Sequence, residues 1–389
     1  MHRTLSAEHE HLRDVVARFV RDELDPHAAE WEAAGTAPLH EIFGKAGRLG
    51  LLGVDKPEAY GGAGLDFSYV AVVAEALGHS VAAGIPFAMG AHTSAMPALA
   101  NYGSDALRSE FLAPAIAGDM VACIGVSEPA AGSDVSAIRT TARRDGGDWI
   151  IRGDKMWTSN STQGDWIAVL ANTSDENGPH RNKSLILVPI DTPGVSVGKK
   201  LHKLGMQSSD TAPVFFDDVR VPAAHLIGEE GMGFIYQMQQ FQHERLWVSL
   251  RTLAALEDAV TLTAEYAADR KLFGKPLIQN QVIYHRLADY RSQLEALRAL
   301  AYASVDAKAR GEDVTMSASM VKYLAGKLAL EIPNHCAQIF GGQGFMWESR
   351  ITQILRDIRI AAVGGGANEV MLEVIAKQAG YVGRRAARA

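Results

Sequence analysis

Two long stretches without glycine or proline in the C-terminal part of the chain limit its possible folds more than any other feature. Neither residue type occurs between Gly233 and Gly274, or between Pro276 and Gly311. Both stretches carry apolar residues at intervals of three and four, which places those side chains on one face of an α-helix. Further helices are predicted at 314–332, from Pro333 onward and at 368–379. Long antiparallel helices with short connections predict a four-helix bundle.

The chain before this bundle changes its pattern once. Helical spacing with frequent glycine and proline comes first, and the predicted helices are 6–31 with a break at Pro26, 38–49, 66–77, 89–102 and 104–115. Short β-like runs separated by turns rich in Gly, Asn and Asp follow at 140–144, 149–155, 166–170, 185–188, 195–197 and 214–216. The predicted fold class is therefore α+β. It comprises a helical domain at 1–120, a central antiparallel β-domain at 121–226 and the helical bundle at 227–389.

Composition excludes several classes of protein. The net charge is −7, with 45 acidic and 38 basic residues, and only a short basic tail at Arg384, Arg385 and Arg388. This balance argues against a nucleic-acid partner. The two cysteines are far apart, so neither a disulfide scaffold nor a metal site is predicted. Residues 1–14 do not resemble a signal peptide, and no apolar run is long enough for stable membrane insertion, so we expect a soluble cytoplasmic protein.

The segment 125–137, Gly-Val-Ser-Glu-Pro-Ala-Ala-Gly-Ser-Asp-Val-Ser-Ala, is a candidate binding loop. Pro129 fixes one φ angle, and Gly132 can adopt positive φ. Ser127, Gly132 and Ser133 could then direct N–H groups and hydroxyls towards a phosphate, a pyrophosphate or a polar ring edge. The alternative is a serine-rich turn that joins two domains. No G-x-G-x-x-G follows a strand, so a Rossmann site is not predicted.

Four further motifs follow this loop in the order and spacing of one family. They are Lys155-Met-Trp-Thr-Ser-Asn160, Arg270-Lys-Leu-Phe-Gly274, Gln338-Ile-Phe-Gly-Gly-Gln-Gly344 and Arg356-Asp357. Together with the loop, they resemble the acyl-CoA dehydrogenases over essentially the whole chain. The resemblance implies non-covalently bound FAD and an α-domain, a β-domain and a second α-domain.

The resemblance also implies which residues contact FAD. Ser127, Trp157 and Ser159 would contact the flavin, whereas Arg270, Phe273 and the segment 338–342 would meet the FAD of a neighbouring subunit in a homotetramer. Taken alone, Trp157 could be a half-buried sheet tryptophan and Arg270 a cation favoured by the helix dipole. The full set of predicted cofactor contacts is Ile124, Val126, Ser127, Gly132, Trp157, Ser159, Arg270, Phe273, Gln281, Gln338, Gly341, Gly342, Ala367 and Glu369.

The position of the catalytic base departs from the commonest family pattern. Most relatives carry a glutamate after the Arg-Asp-x-Arg motif, but here that position is Gly365, which cannot move a proton. Isovaleryl-CoA and long-chain types instead carry it on the first bundle helix, where this chain has Glu244. The alternatives are that Glu244 is an ordinary surface acid and that His243 is the base. Ser133, Arg245, Gly365 and Gly366 are the predicted substrate contacts.

The predicted reaction is α,β-dehydrogenation of an acyl-CoA, in which Glu244 removes the α-proton while a β-hydride passes to flavin N5. A backbone N–H at Gly365 would help stabilise the enolate, and an electron-transfer flavoprotein would take the electrons. Small residues at 84–100, such as Gly90, and Gly364–Gly366 suggest room for a long or branched acyl chain. The alternatives are a flavin oxidase or monooxygenase on the same fold, or a non-enzymatic helical scaffold.

Overall fold

The computed structural model describes residues 5–382. Residues 1–4 of the N-terminal segment and the basic residues Arg384, Arg385 and Arg388 lie outside the described residues. Helices occupy both ends of the described chain and strands occupy its middle, which confirms the predicted α+β order.

The N-terminal helices begin close to where the sequence places them. They are α1 (Ala7–Phe19), α2 (Ala28–Ala34), α3 (Leu39–Arg48), α4 (Phe67–Leu77), α5 (Gly84–Tyr102), α6 (Asp105–Leu107) and α7 (Ala113–Ala117). The Ser6 side chain caps α1 through the backbone N–H of His9. Pro26 lies in the turn Asp25–His27 between α1 and α2, where the break was predicted.

Helix α5 is longer than the helix predicted at 89–102. It starts at Gly84 rather than at residue 89 and continues through Pro97. A proline inside a helix breaks one backbone hydrogen bond. Here the side-chain oxygen of Gln240 accepts a hydrogen bond of 3.1 Å from the backbone N–H of Ala98, and this tertiary contact compensates the local loss. His92 anchors the middle of α5, because its ring bonds the carbonyl of Ala115 at 2.9 Å and accepts from the N–H of Ala122 at 3.0 Å.

The central sheet contains every run predicted as a strand. Its strands are β1 (Ala122–Gly125), β2 (Thr141–Asp145), β3 (Asp148–Ser159), β4 (Trp166–Asn172), β5 (Lys183–Pro189), β6 (Val195–Val197), β7 (Thr211–Pro222) and β8 (Leu226–Ile227). The strand order is β6-β7-β3-β2-β4-β5-β8, with β1 also paired to β4. The pairing is antiparallel except that β1 runs parallel to β4 and one bridge joins β2 to β4 in parallel. The sequence missed β1 and β8, which are short.

The C-terminal region contains the predicted long helices. Its elements are α8 (Gly233–Asp269), β9 (Lys271–Leu272), β10 (Lys275–Pro276), α9 (Gln281–Ala309), α10 (Thr315–Phe340), α11 (Arg350–Ile358) and α12 (Asn368–Gln378). The prediction that Pro333 begins a new helix was wrong, because Pro333 lies inside α10. The buried apolar stripe continues through it from Ala329 to Cys336, so packing outweighs one lost hydrogen bond.

The helices at the two ends of the chain share one hydrophobic core. Phe43 of α3 and Val73 of α4 belong to the same buried cluster as Leu250 of α8, Tyr290 of α9 and Val321 of α10. Two smaller clusters cover the two faces of the sheet. None of the described helices has both the length and the apolar character needed to cross a membrane.

Candidate active site

Glu244 and Gly365 face each other across a narrow gap. A side chain at Gly365 would begin 3.4 Å from the Glu244 Oε1 atom, and Gly365 has a φ of +68°. Glu244 is half-buried on α8, whereas Gly365 lies in the loop before α12. The two sequence positions considered for the base therefore lie on opposite walls of one small space.

The surroundings of Glu244 favour a proton acceptor. Burial raises the pKa of its carboxyl, while the charges of Arg245 and Lys322 lower it in part. No described residue donates a hydrogen bond to this carboxylate. A desolvated carboxylate with a raised pKa is an effective general base near neutral pH.

The backbone N–H of Gly365 is free beside this carboxylate. The amides of Val363 and Gly364 both donate to the carbonyl of Ile360, at 2.9 and 2.8 Å. The amide of Gly365 donates to no acceptor within the described part of the chain. A free donor next to a base is the arrangement that an enolate intermediate requires.

Lys322 of α10 belongs to this space, and the sequence analysis missed it. Its side chain is fully buried, and its Nζ donates to the carbonyls of Ala361 at 2.5 Å and Gly366 at 3.0 Å. A signal was present in the sequence, because Lys322 takes a place on the apolar stripe with Ala318 and Ala325. A lysine on the buried face of a helix needs a polar partner inside the fold.

His243 faces a different part of the protein. Its Nδ1 lies 3.6 Å from the Oδ2 of Asp55, and its ring meets the edge of Phe67 at 5.0 Å. Burial lowers the pKa of His243 to about 3, with the Asp55 carboxylate opposing that effect. The imidazole is therefore neutral at physiological pH and directed towards Asp55.

The candidate loop and the end of β3 lie side by side. The carbonyl of Ser127 accepts a hydrogen bond of 2.9 Å from the N–H of Met156, which precedes Trp157. A register shift between Lys155 and Thr158 interrupts the pairing of β3 with β7. Trp157 lies in this irregularity with a φ of 59°, and 53% of it is exposed. The exposed indole of Trp157 therefore belongs to the same stretch of β3 as Ser159, and this stretch is hydrogen-bonded to the loop at Ser127.

A buried ion pair holds the candidate loop against the sheet. The Lys155 Nζ donates to Glu128 Oε1 at 2.8 Å and to the carbonyl of Val126 at 3.1 Å. The loop closes through paired backbone hydrogen bonds between Glu128 and Ala131. Gly132 is not among the residues with positive φ, so the loop does not use the left-handed conformation that is open to glycine. Its position is open, with no described atom within 4 Å of where a side chain would begin.

The residues predicted to meet a neighbouring subunit gather at the far end of the bundle. The rings of Tyr266 and Phe340 stack at 4.1 Å, which brings the end of α8 next to the end of α10. Phe273 is 96% exposed there. The other predicted contacts at this end are also exposed: Arg270, Gln281, Gln338, Gly341 and Gly342.

The distance along α8 separates this end from the candidate base. Glu244 and Arg270 are 26 residues apart on α8 and its C-cap. At 1.5 Å per residue this is roughly 40 Å, which is longer than an extended FAD. One FAD beside Glu244 therefore cannot also reach Arg270 of the same chain.

The remaining predicted residues surround these two groups. Ser133 is exposed on the loop, and Ile124 is half-buried in β1. Arg245 is buried next to Glu244, with its guanidinium 5.9 Å from the Phe241 ring and its Nε without a partner among the described residues. Ala367 is the N-cap residue of α12 and Glu369 lies in its first turn.

The position beside Gly90 on α5 is filled, whereas a cavity remains beside Pro97 and Ala98 towards the end of the same helix. A side chain at Gly90 would begin 2.2 Å from the Nε1 of Trp247, so the glycine accommodates a buried indole of α8. The suggestion that Gly90 leaves room for an acyl chain was therefore wrong. Trp247 follows Glu244 by about one helical turn on α8.

The exposed surfaces fit a flavin dinucleotide. Trp157 offers a free aromatic face beside the hydroxyl-bearing residues Ser127 and Ser159. The φ of +60° at Gly341 itself favours glycine, whereas Gly342 has open space around it, so packing within the chain does not require glycine at Gly342. A close-approaching ligand or partner would require it. The described residues contain no group of three or more His, Cys, Asp or Glu side chains that could hold a metal ion.

Comparisons with known proteins agree with these features. The family models for acyl-CoA dehydrogenase match over three regions: the N-terminal domain at residues 6–119, the middle domain at 123–219 and the C-terminal domain at 231–380. The long-chain specific acyl-CoA dehydrogenase of Sus scrofa mitochondria is 38% identical over 97% of this chain and 87% of that protein.

Solved structures give the same result. An acyl-CoA dehydrogenase from Geobacillus kaustophilus superposes with a TM-score of 0.94 at 35% identity, over 97% of this chain and 100% of that one. PigA with FAD and proline superposes with a TM-score of 0.95 at 27% identity, over 98% and 100%. This chain therefore belongs to the acyl-CoA dehydrogenase family of FAD-dependent oxidoreductases.

Proposed function

We propose that this enzyme converts an acyl-CoA thioester to its trans-2-enoyl-CoA, with Glu244 as the base that removes the α-proton. The observation that carries the proposal is the proximity of Glu244 to Gly365: a carboxylate of raised pKa lies next to a free backbone N–H. Bound FAD would supply the hydride acceptor for the β-hydrogen.

The chain's own groups have separate tasks in this scheme. Glu244 takes the α-proton, and α8 restricts its rotamer because Arg245, Leu246 and Trp247 are buried next to it. The amide of Gly365 donates to the thioester oxygen as negative charge develops there.

The dinucleotide would be held in two places. Ser127, Trp157 and Ser159 would bind the flavin ring, with Ile124, Val126, Gly132, Ala367 and Glu369 as further contacts. Ser133, Arg245, Gly365 and Gly366 would contact the acyl-CoA. The exposed indole of Trp157 and the free Nε of buried Arg245 support these assignments. The division into domains at 1–120, 121–226 and 227–389 is part of the same proposal.

The far end of the bundle supports a homotetramer. Arg270, Phe273, Gln281, Gln338, Gly341 and Gly342 are exposed and out of reach of the FAD that serves Glu244 of the same chain. We assign them to the FAD of a neighbouring subunit, where the planar guanidinium of Arg270 can bond two pyrophosphate oxygens. Arg270→Ala should weaken FAD retention while leaving the unfolding midpoint of the FAD-free protein unchanged. A monomeric, FAD-saturated wild type in light scattering would contradict this assignment.

The base is tested by Glu244→Gln, which keeps the size of the side chain and removes the proton acceptor. The rate of flavin bleaching under anaerobic conditions with saturating acyl-CoA should fall by about 10²–10⁴-fold. Glu265→Gln makes the same change on an exposed part of α8 and should leave the rate unchanged. A near-normal bleaching rate for Glu244→Gln would show that another group is the base.

The electron acceptor is tested in the same preparation. We propose that an electron-transfer flavoprotein reoxidises the enzyme. The reduced enzyme should react with oxygen slowly and with an added electron-transfer flavoprotein quickly. Rapid reoxidation by oxygen with release of hydrogen peroxide would favour an oxidase instead.

A further inference from the structure

Lys322 is placed to act on the catalytic glutamate without touching the substrate. Its Cε atom lies 3.5 Å from the point where a side chain at Gly365 would begin, and the Oε1 of Glu244 lies 3.4 Å from that point. The Nζ of Lys322 donates to the carbonyls of Ala361 and Gly366, on either side of Gly365. One side chain therefore joins α10 to the loop opposite the base.

The burial of Lys322 needs a reason. Its side chain is fully buried, and an ammonium in such a place is costly unless acceptors surround it. Burial lowers the pKa of Lys322 to about 8, while the Glu244 carboxylate opposes that effect. A leucine or methionine would fill the same stripe of α10 without this cost, so the fold keeps a cation there despite the penalty.

We propose that Lys322 is a positioning residue that fixes the loop 361–366 opposite α8 and, as a neighbouring cation, favours the ionised form of Glu244. The inference rests on the proposed role of Glu244 as the base. The two carbonyl contacts set where the free N–H of Gly365 lies. The positive charge favours the carboxylate over the carboxylic acid, since opposite charges attract strongly where water is scarce.

Few other charges act on Glu244. Arg245 is the charged neighbour on its own helix, and Lys322 is the one that α10 contributes among the described residues. The loop 361–367 consists of alanine, valine and glycine, so it has no titratable side chain. His243 and Asp55 lie on the α4 side of α8 and face each other. Removing Lys322 should therefore change the ionisation of Glu244 measurably.

Three substitutions separate the two parts of this role. Lys322→Gln keeps a hydrogen-bond donor and removes the charge, Lys322→Arg keeps the charge, and Lys322→Met removes both. The readout is the acid limb of the pH profile of kcat/KM for the holoenzyme, because that limb reports the pKa of the free enzyme's base. We expect the limb to move up by about one pH unit in the Gln and Met variants and to stay in place in the Arg variant.

A second readout does not depend on turnover. The carboxyl band of Glu244 can be titrated by infrared difference spectroscopy, with Glu244→Gln as the reference protein. Its midpoint should rise by the same amount in Lys322→Gln and Lys322→Met. Lys183→Met is the matched control, because Lys183 is also fully buried and donates to the carbonyl of Pro179 at 2.9 Å, but it lies in β5. It should not move the acid limb.

The outcomes distinguish this inference from the proposed function. If Glu244→Gln retains its bleaching rate, the assignment of the base fails. If that variant is inactive but Lys322→Gln and Lys322→Met leave both midpoints within about 0.2 pH units of wild type, the inference about Lys322 alone is overturned. A shift of equal size in Lys183→Met would also overturn it, because the effect would then be a general result of lost stability.

Discussion

The buried ion pair between Lys155 and Glu128 should stabilise the candidate binding loop at 125–137 strongly, and Lys155→Met tests this. Lys155 is fully buried and Glu128 is 5% exposed. The substitution leaves the Glu128 carboxylate with the backbone N–H groups of Arg139 and Thr140, at 2.6 and 2.9 Å, but without a counter-charge. It also leaves the carbonyl of Val126 without its donor.

The size of the effect follows from these contacts. Removing one partner of a buried ion pair costs about 3–5 kcal/mol, because the remaining charge is buried alone. The unpaired carbonyl adds about 1 kcal/mol, and the apolar methionine offsets a similar amount. We therefore expect the free energy of unfolding to fall by about 3–5 kcal/mol at pH 7.

The pH dependence gives a second test of the same reasoning. In the wild type, burial alone would raise the pKa of Glu128, but the charge and hydrogen bond of Lys155 outweigh it and lower the pKa. This stabilisation is present above the unfolded-state pKa and is lost as the pH falls through the folded-state value. Without Lys155, we expect burial to raise the pKa of Glu128. Protonation of Glu128 then removes part of the destabilisation of the variant as the pH falls. The stability difference between the two proteins should narrow between about pH 7 and pH 4.

The assay is urea denaturation at fixed protein and FAD concentrations, because bound cofactor adds to the apparent stability. Arg152→Met is the control. Arg152 lies in β3, as Lys155 does, and pairs with Asp218 of β7, but both side chains are exposed, at 69% and 52%. Solvent screens that pair, so its loss should change stability little. A loss for Lys155→Met no larger than that for Arg152→Met would refute the reasoning, as would a gap that widens on acidification.

Three other outcomes are expected. Burial lowers the pKa of His92 to about 4, below its unfolded value, so the unfolded chain binds the proton first as the pH falls. The free energy of unfolding should drop by about 3 kcal/mol between about pH 6.5 and 4, and His92→Gln should flatten that part of the denaturation profile. Gly90→Ala places a methyl group 2.2 Å from the Trp247 Nε1 and should cost about 1–3 kcal/mol, with Trp247→Phe relieving part of it in a double-mutant cycle. Gly365→Glu should restore part of the bleaching rate lost in Glu244→Gln, but below wild type, because a φ of +68° costs an L-residue about 1–2 kcal/mol; no gain over the single variant would contradict this.

Periodicity predicted the long helices because their stability depends on patterns within the sequence. The stretch that became α8 has its apolar residues on a face that packs against other helices, and no residue in it breaks a helix. The same local reasoning failed at Pro97 and Pro333. Each lies in a helix held by contacts with distant parts of the chain, such as the bond from Ala98 to Gln240, and local propensity does not contain such contacts.

The site residues that lie within a recognisable sequence motif could be predicted. Those whose role depends on contacts between distant helices and loops could not. Glu244 and Trp157 could be named because each lies in a recognisable segment. The place of Lys322 on the apolar stripe of α10 signals a buried lysine, but not its role, which depends on the carbonyls of a loop about 40 residues later in the chain. The filling of the space at Gly90 by Trp247 is also a contact between two helices. The cytoplasmic location expected from composition stays a prediction.

The shared core of the two helical blocks has a consequence for synthesis of the protein. The apolar face of α4 packs with α8 and α9, which leave the ribosome only after the entire β-sheet region. More than 150 residues separate Leu77 from the start of α8, so at about 5–20 residues per second the apolar face of α4 waits on the order of ten seconds for its partners. During that interval the nascent chain exposes Val73 and its apolar neighbours on α4 to water. A chaperone that binds exposed apolar segments should therefore raise the yield of folded protein most when it acts during translation, before α8 emerges.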